Sequence, residues 1–180
     1  DLYVANGWWL ETSMYPNKFF HNHAGQTFAA REDEFGLANN RKQHAFVYLD
    51  FDRDGDLDII SRSLAGEFDV YTNTLQEGQA VSFEFRDQVG NFFGIGNRIK
   101  LFYGNANERH QMREIKGGGG FVSFDPPVAH FGLGAFDRVG RVQIEWTDGT
   151  TTVIDQPLDA GRNYVVVRRS AEHIELTQSD

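Results

Sequence analysis

HAFVYLDFDRDGDLDIISRSL (residues 44–64) sets five aspartates, Asp50, Asp52, Asp54, Asp56 and Asp58, into nine positions between two apolar runs. Like charge at that density is unfavourable in a tight turn unless something positive sits among it, because crowded carboxylates repel and some must take up protons. Asp50, Asp52, Asp54 and Asp58 stand at relative positions 1, 3, 5 and 9, with Gly55 at position 6. This spacing turns the three leading carboxylates toward one point. The glycine permits the sharp turn, and Asp56, at position 7, offers its backbone carbonyl. An all-oxygen cage of this kind suits a hard cation of calcium size. The spacing begins like an EF-hand loop, but Ser61 stands at position 12 where the bidentate Glu belongs, and HAFVYL and LDII on either side read as strands. An EF-hand is therefore excluded. The bland alternative is a solvated acidic turn that binds nothing. The D-x-D-x-D-G-x-x-D register favours the metal, Ca2+, in a structural rather than a catalytic role.

Away from the loop, period-two alternation dominates, as in Val81-x-Phe83-x-Phe85, Val142-x-Ile144-x-Trp146 and the run Tyr164–Val167. The fold class read from this pattern is all-β. Strands are predicted near 81–86, 97–103, 111–116, 121–124, 128–132, 141–147, 150–155 and 163–169, each able to bury one face. Asp148-Gly149 predicts a type I′ hairpin, whose two turn residues both take positive φ. The best helical candidate is 29–38, AAREDEFGLA, where Glu32, Asp33 and Glu34 would open a short turn.

Composition bounds the function classes. With 180 residues, 40% hydrophobic and sixteen Phe, the chain can bury a core and is not of disordered type. A formal charge of −9 with no Lys/Arg cluster speaks against a phosphate backbone as partner, so nucleic acid is not expected. Cysteine is absent, which removes disulfides, zinc-thiolate sites and thiol nucleophiles. No apolar run approaches the ~20 residues that a membrane-spanning helix needs. The start, DLYVANGWW, lacks Met, a basic region and a cleavage site, and reads as a processed product or a fragment of something longer.

The residues now carry a resemblance. AFVYLDFDRDGDLDII (45–60) resembles the calcium-loop repeat of FG-GAP and VCBS β-propellers. The opening DLYVANG resembles the segment just after the last loop aspartate of such repeats, which aligns Asp1 with Asp58 at a period of 57 residues. Between them, NKFFHNHAGQTFAAREDEFGL (17–37) resembles the strand pair of the repeat, and FDVYTN (68–73) the opening of the next. A lone blade cannot close a ring, so this resemblance implies partner blades upstream or in another chain. NFFGIGNRIKLFYG (91–104), QMREIKGGGGFVSFDPP (111–127) and AHFGLGAFDRVGRVQIEWTDGT (129–150) together resemble the ASPIC/UnbV domain. Two positions depart from these patterns: Asn97, where the domain more often has Ala, and His21-Asn-His23 in the repeat. The implied organisation is a partial β-propeller region at 1–78, a small β-sandwich or barrel-like ASPIC/UnbV domain at 79–170, and a tail at 171–180.

Outside the loop, the candidate sites have bland readings. Gly117–Gly120 supply a bend, and Gly94-x-Gly96 has no βαβ context for a dinucleotide. His130 reads as a half-buried histidine bonded to backbone rather than a catalytic base. No serine sits in a nucleophile-elbow string, and no catalytic residue is nominated. His21 and His23 could share a strand face and hold a transition metal, but are placed in a loop joining two strands. Trp8, Trp9, Tyr15, Phe92 and Phe93 flank turns, where rings stack on sugars or fill a partner's groove; Trp8-Trp9 reads equally well as a buried seam. The leading expectation is a calcium-stabilised binding or adhesion module, extracellular, periplasmic or at the cell surface, with a protein or glycan partner. A structural subunit that self-associates or is completed by upstream blades, and an accessory protein of a biosynthetic pathway, are the alternatives; an enzyme is the reading with least support.

Overall fold

The computed structural model describes residues 1–7, 15–64, 66–75 and 78–179. The chain divides into two compact units, Asp1–Leu49 with Leu57–Asn73 and Gly119–Phe124, and Asp50–Asp56 with Thr74–Gly118 and Asp125–Asp180.

In the first unit β1 (Leu2–Val4), β2 (Lys18–His23) and β3 (Thr27–Ala30) form one three-stranded antiparallel sheet, and β4 (Gln43–Leu49), β5 (Asp58–Ser63) and β6 (Phe68–Tyr71) form another. Its interior is unusually polar. Asn17 and Gln43 are fully buried, and such groups are tolerated only when hydrogen-bonded. Here the Tyr3 hydroxyl donates to Gln43 Oε1 (3.1 Å) and accepts from Asn17 Nδ2 (2.8 Å), while Gln43 Nε2 donates to Asp69 Oδ2 (2.6 Å). Burial pushes the Tyr3 hydroxyl pKa upward, so it stays a neutral donor. The helix expected over 29–38 does not form. Pairing of Phe20 with Ala30 and His23 with Thr27 takes its first residues into β3, and what remains closes as one turn, with Leu37 N donating to Glu32 O at 2.8 Å.

The second unit carries β7 (Gln79–Asp87), β8 (Arg98–Tyr103), β9 (Arg109–Glu114), β10 (Val128–Gly134), β11 (Arg138–Glu145), β12 (Thr151–Ile154), β13 (Leu158–Asp159), β14 (Arg162–Arg168) and β15 (Ile174–Gln178). One sheet runs β10-β7-β14-β15 and the other β12-β11-β8-β9, with β13 on β11; β7 and β14 pair in parallel and the remaining neighbours antiparallel. Alternation aims Val81, Phe83 and Phe85 of β7 and Phe131 of β10 into the same core as Ile99 and Leu101 of β8 and Ile144 of β11. Each such side chain contributes about 1.5–3 kcal/mol by leaving water. The fold is all-β, as the alternation predicts, with a 3-10 turn at Asn105–Asn107 between β8 and β9.

Three local expectations are corrected. Residues 121–124 form no strand: Val122 has φ +57°, incompatible with an extended ladder, and Phe121, Val122 and Phe124 are exposed. The Asp148-Gly149 turn is not type I′. Gly149 alone of the pair takes positive φ, Gly149 N donates to Trp146 O and Trp146 N to Thr150 O (both 2.9 Å), a type I turn closed by a glycine bulge. Finally, Ile174–Gln178, within the stretch read as a tail, add β15 to β14 through pairs such as Val166 with Leu176.

Candidate metal centre

The ladder of β4 with β5 ends at the pair Leu49–Asp58, so residues 50–57 form the connecting loop. The pairing brings Asp58 back beside Asp50. Asp50, Asp52 and Asp58 each present a carboxylate oxygen, and the three atoms lie within 4.8 Å of one another. Backbone amides hold them from outside. Gly55 N donates to Asp50 Oδ2 (3.1 Å), Asp54 N to Asp52 Oδ1 (3.4 Å) and Asn73 N to Asp58 Oδ1 (2.8 Å). Arg53 and Gly55 adopt positive φ, +63° and +98°, which is how the chain doubles back within so few residues.

Asp54 and Asp56 stand outside the carboxylate group. Asp54 Oδ1 accepts the Asp56 N–H at 2.9 Å, a side-chain turn that fixes the loop tip. Burial raises the Asp50 carboxyl above its ordinary range, and the Asp54 and Asp52 charges push the same way against amide bonds from Gly55 and Arg53. Asp50 Oδ1 is buried and accepts no hydrogen bond. A desolvated, unbonded oxygen on a carboxylate that is grouped with two others is costly as it stands and is an ordinary ligand for a hard cation, so the donor set fits Ca2+.

Of the aromatic candidates, Trp8 and Trp9 lie outside the described residues. Phe92 and Phe93 are half-exposed in the β7–β8 loop, edge to face at 5.1 Å, with the Arg86 guanidinium 5.6 Å over Phe92. His21 and His23 sit in β2 itself and not in a loop; their rings are 4.8 Å apart and His21 Nδ1 lies 3.1 Å from Asp1 Oδ1. His130 is bonded to backbone as its sequence context favours, but its acceptor is in the acidic loop, with Nε2 2.9 Å from Gly55 O. Nothing local in the sequence announces that contact.

Residues 88–173 match the family model described as ASPIC and UnbV. Cartilage acidic protein 1 from Mus musculus and from Homo sapiens are each 36% identical to this chain over 107 residues, covering 57% of it and 16% of the relative. The chain thus spans about a sixth of the length of these relatives. The crystal structure of a candidate cell adhesion protein from Bacteroides ovatus overlaps 79% of this chain and 62% of its own, with a TM-score of 0.37 and 12% identity, a likeness too loose to define the fold. Among the described residues no helix is long and apolar enough to cross a membrane.

Proposed function

We propose that this chain is part of a calcium-stabilised, exported or cell-surface binding and adhesion module. The observation that carries the reading is Asp50 Oδ1, buried without a donor while the Asp50, Asp52 and Asp58 carboxylates converge within 4.8 Å. In the bound state Asp50, Asp52 and Asp58 hold the ion, with Asp54 and the Asp56 carbonyl completing the oxygen set. The ion supplies positive charge that offsets the repulsion, and the chain's amides keep the carboxylates oriented. Loops of this chemistry in extracellular modules bind at about 10⁻⁴–10⁻³ M, which suits an environment rich in calcium.

The FG-GAP/VCBS blade assignment for the first unit rests on its two antiparallel meanders and on an internal echo. Asp1 Oδ1 accepts Asn22 N at 2.7 Å as Asp58 Oδ1 accepts Asn73 N at 2.8 Å. Exposed Phe28, Phe68 and Val70 on β3 and β6 favour completion of this region by further blades, the structural-subunit reading. Phe92 and Phe93 offer a stacking surface for a protein or glycan partner.

Thermal unfolding in EDTA and in calcium tests the proposal. At a calcium concentration 100-fold above the dissociation constant, binding to the folded state alone adds about 2.7 kcal/mol. An unchanged melting temperature together with no heat on calcium titration would remove the calcium-stabilised reading.

A further inference from the structure

We infer that His130 is a positioning residue for the acidic loop, its Nε2–H holding the Gly55 carbonyl so that the Gly55–Asp56 peptide keeps the orientation that cation binding needs. This rests on the calcium reading above. His130 in β10 pairs across the ladder with Ser82 of β7, and Ser82 with Asn163 of β14. Their neighbours Ala129, Phe131, Val81, Phe83 and Tyr164 are buried in the core, so alternation places His130, Ser82 and Asn163 in one polar row on the opposite face of the sheet. Ser82 and Asn163 hydrogen-bond to each other. Arg53, Asp54 and Gly55, which group with this second unit, line a small cleft with that row.

A carbonyl oxygen can only accept, so the 2.9 Å contact requires the proton on Nε2 and selects that tautomer in the neutral ring. The planar Gly55–Asp56 peptide is then held at both ends, its oxygen by His130 and its N–H by Asp54 Oδ1 at 2.9 Å. The N–H on the other side of Gly55 goes to Asp50 Oδ2 at 3.1 Å. Glycine at φ +98° has no side chain to resist rotation, so these three bonds, one of them from 75 residues away, fix the turn. They orient the Asp50 carboxylate and fix where the Asp56 Cα stands, lowering the ordering that a bound cation must otherwise impose.

The test compares the 180-residue chain with His130→Leu, which removes the donor, and His130→Gln, whose amide N–H can reach a similar position. In calcium-free protein, hydrogen exchange of peptides covering 50–58 is expected to quicken in H130L and to return toward the wild-type rate in H130Q. Unchanged exchange in β8 shows that the fold is intact. Calcium titration is expected to give about 3- to 10-fold weaker binding in H130L, the loss of one neutral hydrogen bond, with recovery in H130Q. Wild-type loop exchange and wild-type affinity in H130L would overturn the inference while leaving the calcium reading intact. Absence of any calcium heat from the wild-type chain would overturn the calcium reading and the affinity claim together, with loop exchange still deciding whether the His130 latch exists.

Discussion

Asp52→Asn separates the two roles that the acidic cluster is given, because it should stabilise the protein without calcium and weaken it with calcium. Asp52 is the exposed member of the group, and its Oδ1 accepts the Asp54 N–H, which an asparagine oxygen still can. The substitution therefore removes a charge and leaves the turn. In calcium-free protein Asp52 repels Asp50 and Asp58, whose oxygens lie within 4.8 Å. Two unit charges at that distance repel by about 0.9 kcal/mol at the dielectric of water and about 3.5 at an effective value of 20. Exposure puts Asp52 near the lower figure, so relief of both pairs amounts to about 1–2 kcal/mol at low salt. For a chain of this length the melting temperature moves roughly 2–4 °C per kcal/mol, giving a rise of about 2–8 °C in EDTA. At calcium about 100-fold above the dissociation constant, where the wild-type chain gains about 2.7 kcal/mol, the order reverses, because the variant offers a neutral amide oxygen in place of a charged carboxylate and gains less from the ion. Circular dichroism melts of both proteins in EDTA and in calcium chloride provide the readout. A variant less stable than wild type in EDTA, or one keeping the full calcium-induced rise, would refute the view of these carboxylates as a cage held apart from its ion.

The second unit supplies three further outcomes. Arg168 is almost fully buried, with Asp87 Oδ2 at 3.4 Å, Asp148 Oδ2 at 2.6 Å and its guanidinium 4.5 Å over Trp146; Arg168→Leu leaves Asp87 buried and unpaired and should cost about 3–5 kcal/mol in urea unfolding. The hydroxyl and N–H of Thr150, with Arg168 after them, hold the Asp148 carboxyl at about 2. Its ordinary value is ~3.9, so the contribution of the charged form is fully present above about pH 4 and disappears as pH falls through about 2; acid titration of stability in Asp148→Asn should be shallower than wild type across that window. At Gly94 a Cβ would stand 2.8 Å from Phe85 Cβ and Asn97 Nδ2 on a backbone with φ +66°, whereas at Gly132 nothing lies within 4 Å. Gly94→Ala should destabilise by about 2–4 kcal/mol and Gly132→Ala by less than about 0.5, measured by chemical denaturation.

What the sequence disclosed and what it hid divide by the span of the interactions. Alternation placed β7, β8, β11 and β14 because burial of one face is written residue by residue, as in Val81, Phe83 and Phe85. The loop was legible for a similar reason: its amide-to-carboxylate bonds link Gly55 with Asp50, Asp54 with Asp52 and Asp56 with Asp54, all within five residues. The same local rule misled at 121–124, where the apolar string FVSF reads as a strand but Val122 takes positive φ. It was silent on the polar interior of the first unit, since the Tyr3–Gln43 bond spans 40 residues and neither residue type marks a core position. The same division applies to the proposed cation site. Charge spacing alone shows that an ion would relieve the loop, but how tightly the ion is held depends on how well the loop is ordered before it arrives. That ordering draws on Gly55, whose carbonyl partner His130 lies 75 residues away in a strand of ordinary alternating pattern. Two chains with identical D-x-D-x-D-G-x-x-D loops should therefore differ in calcium affinity according to whether a donor occupies the position of His130, a dependence that no inspection of the loop by itself would reveal.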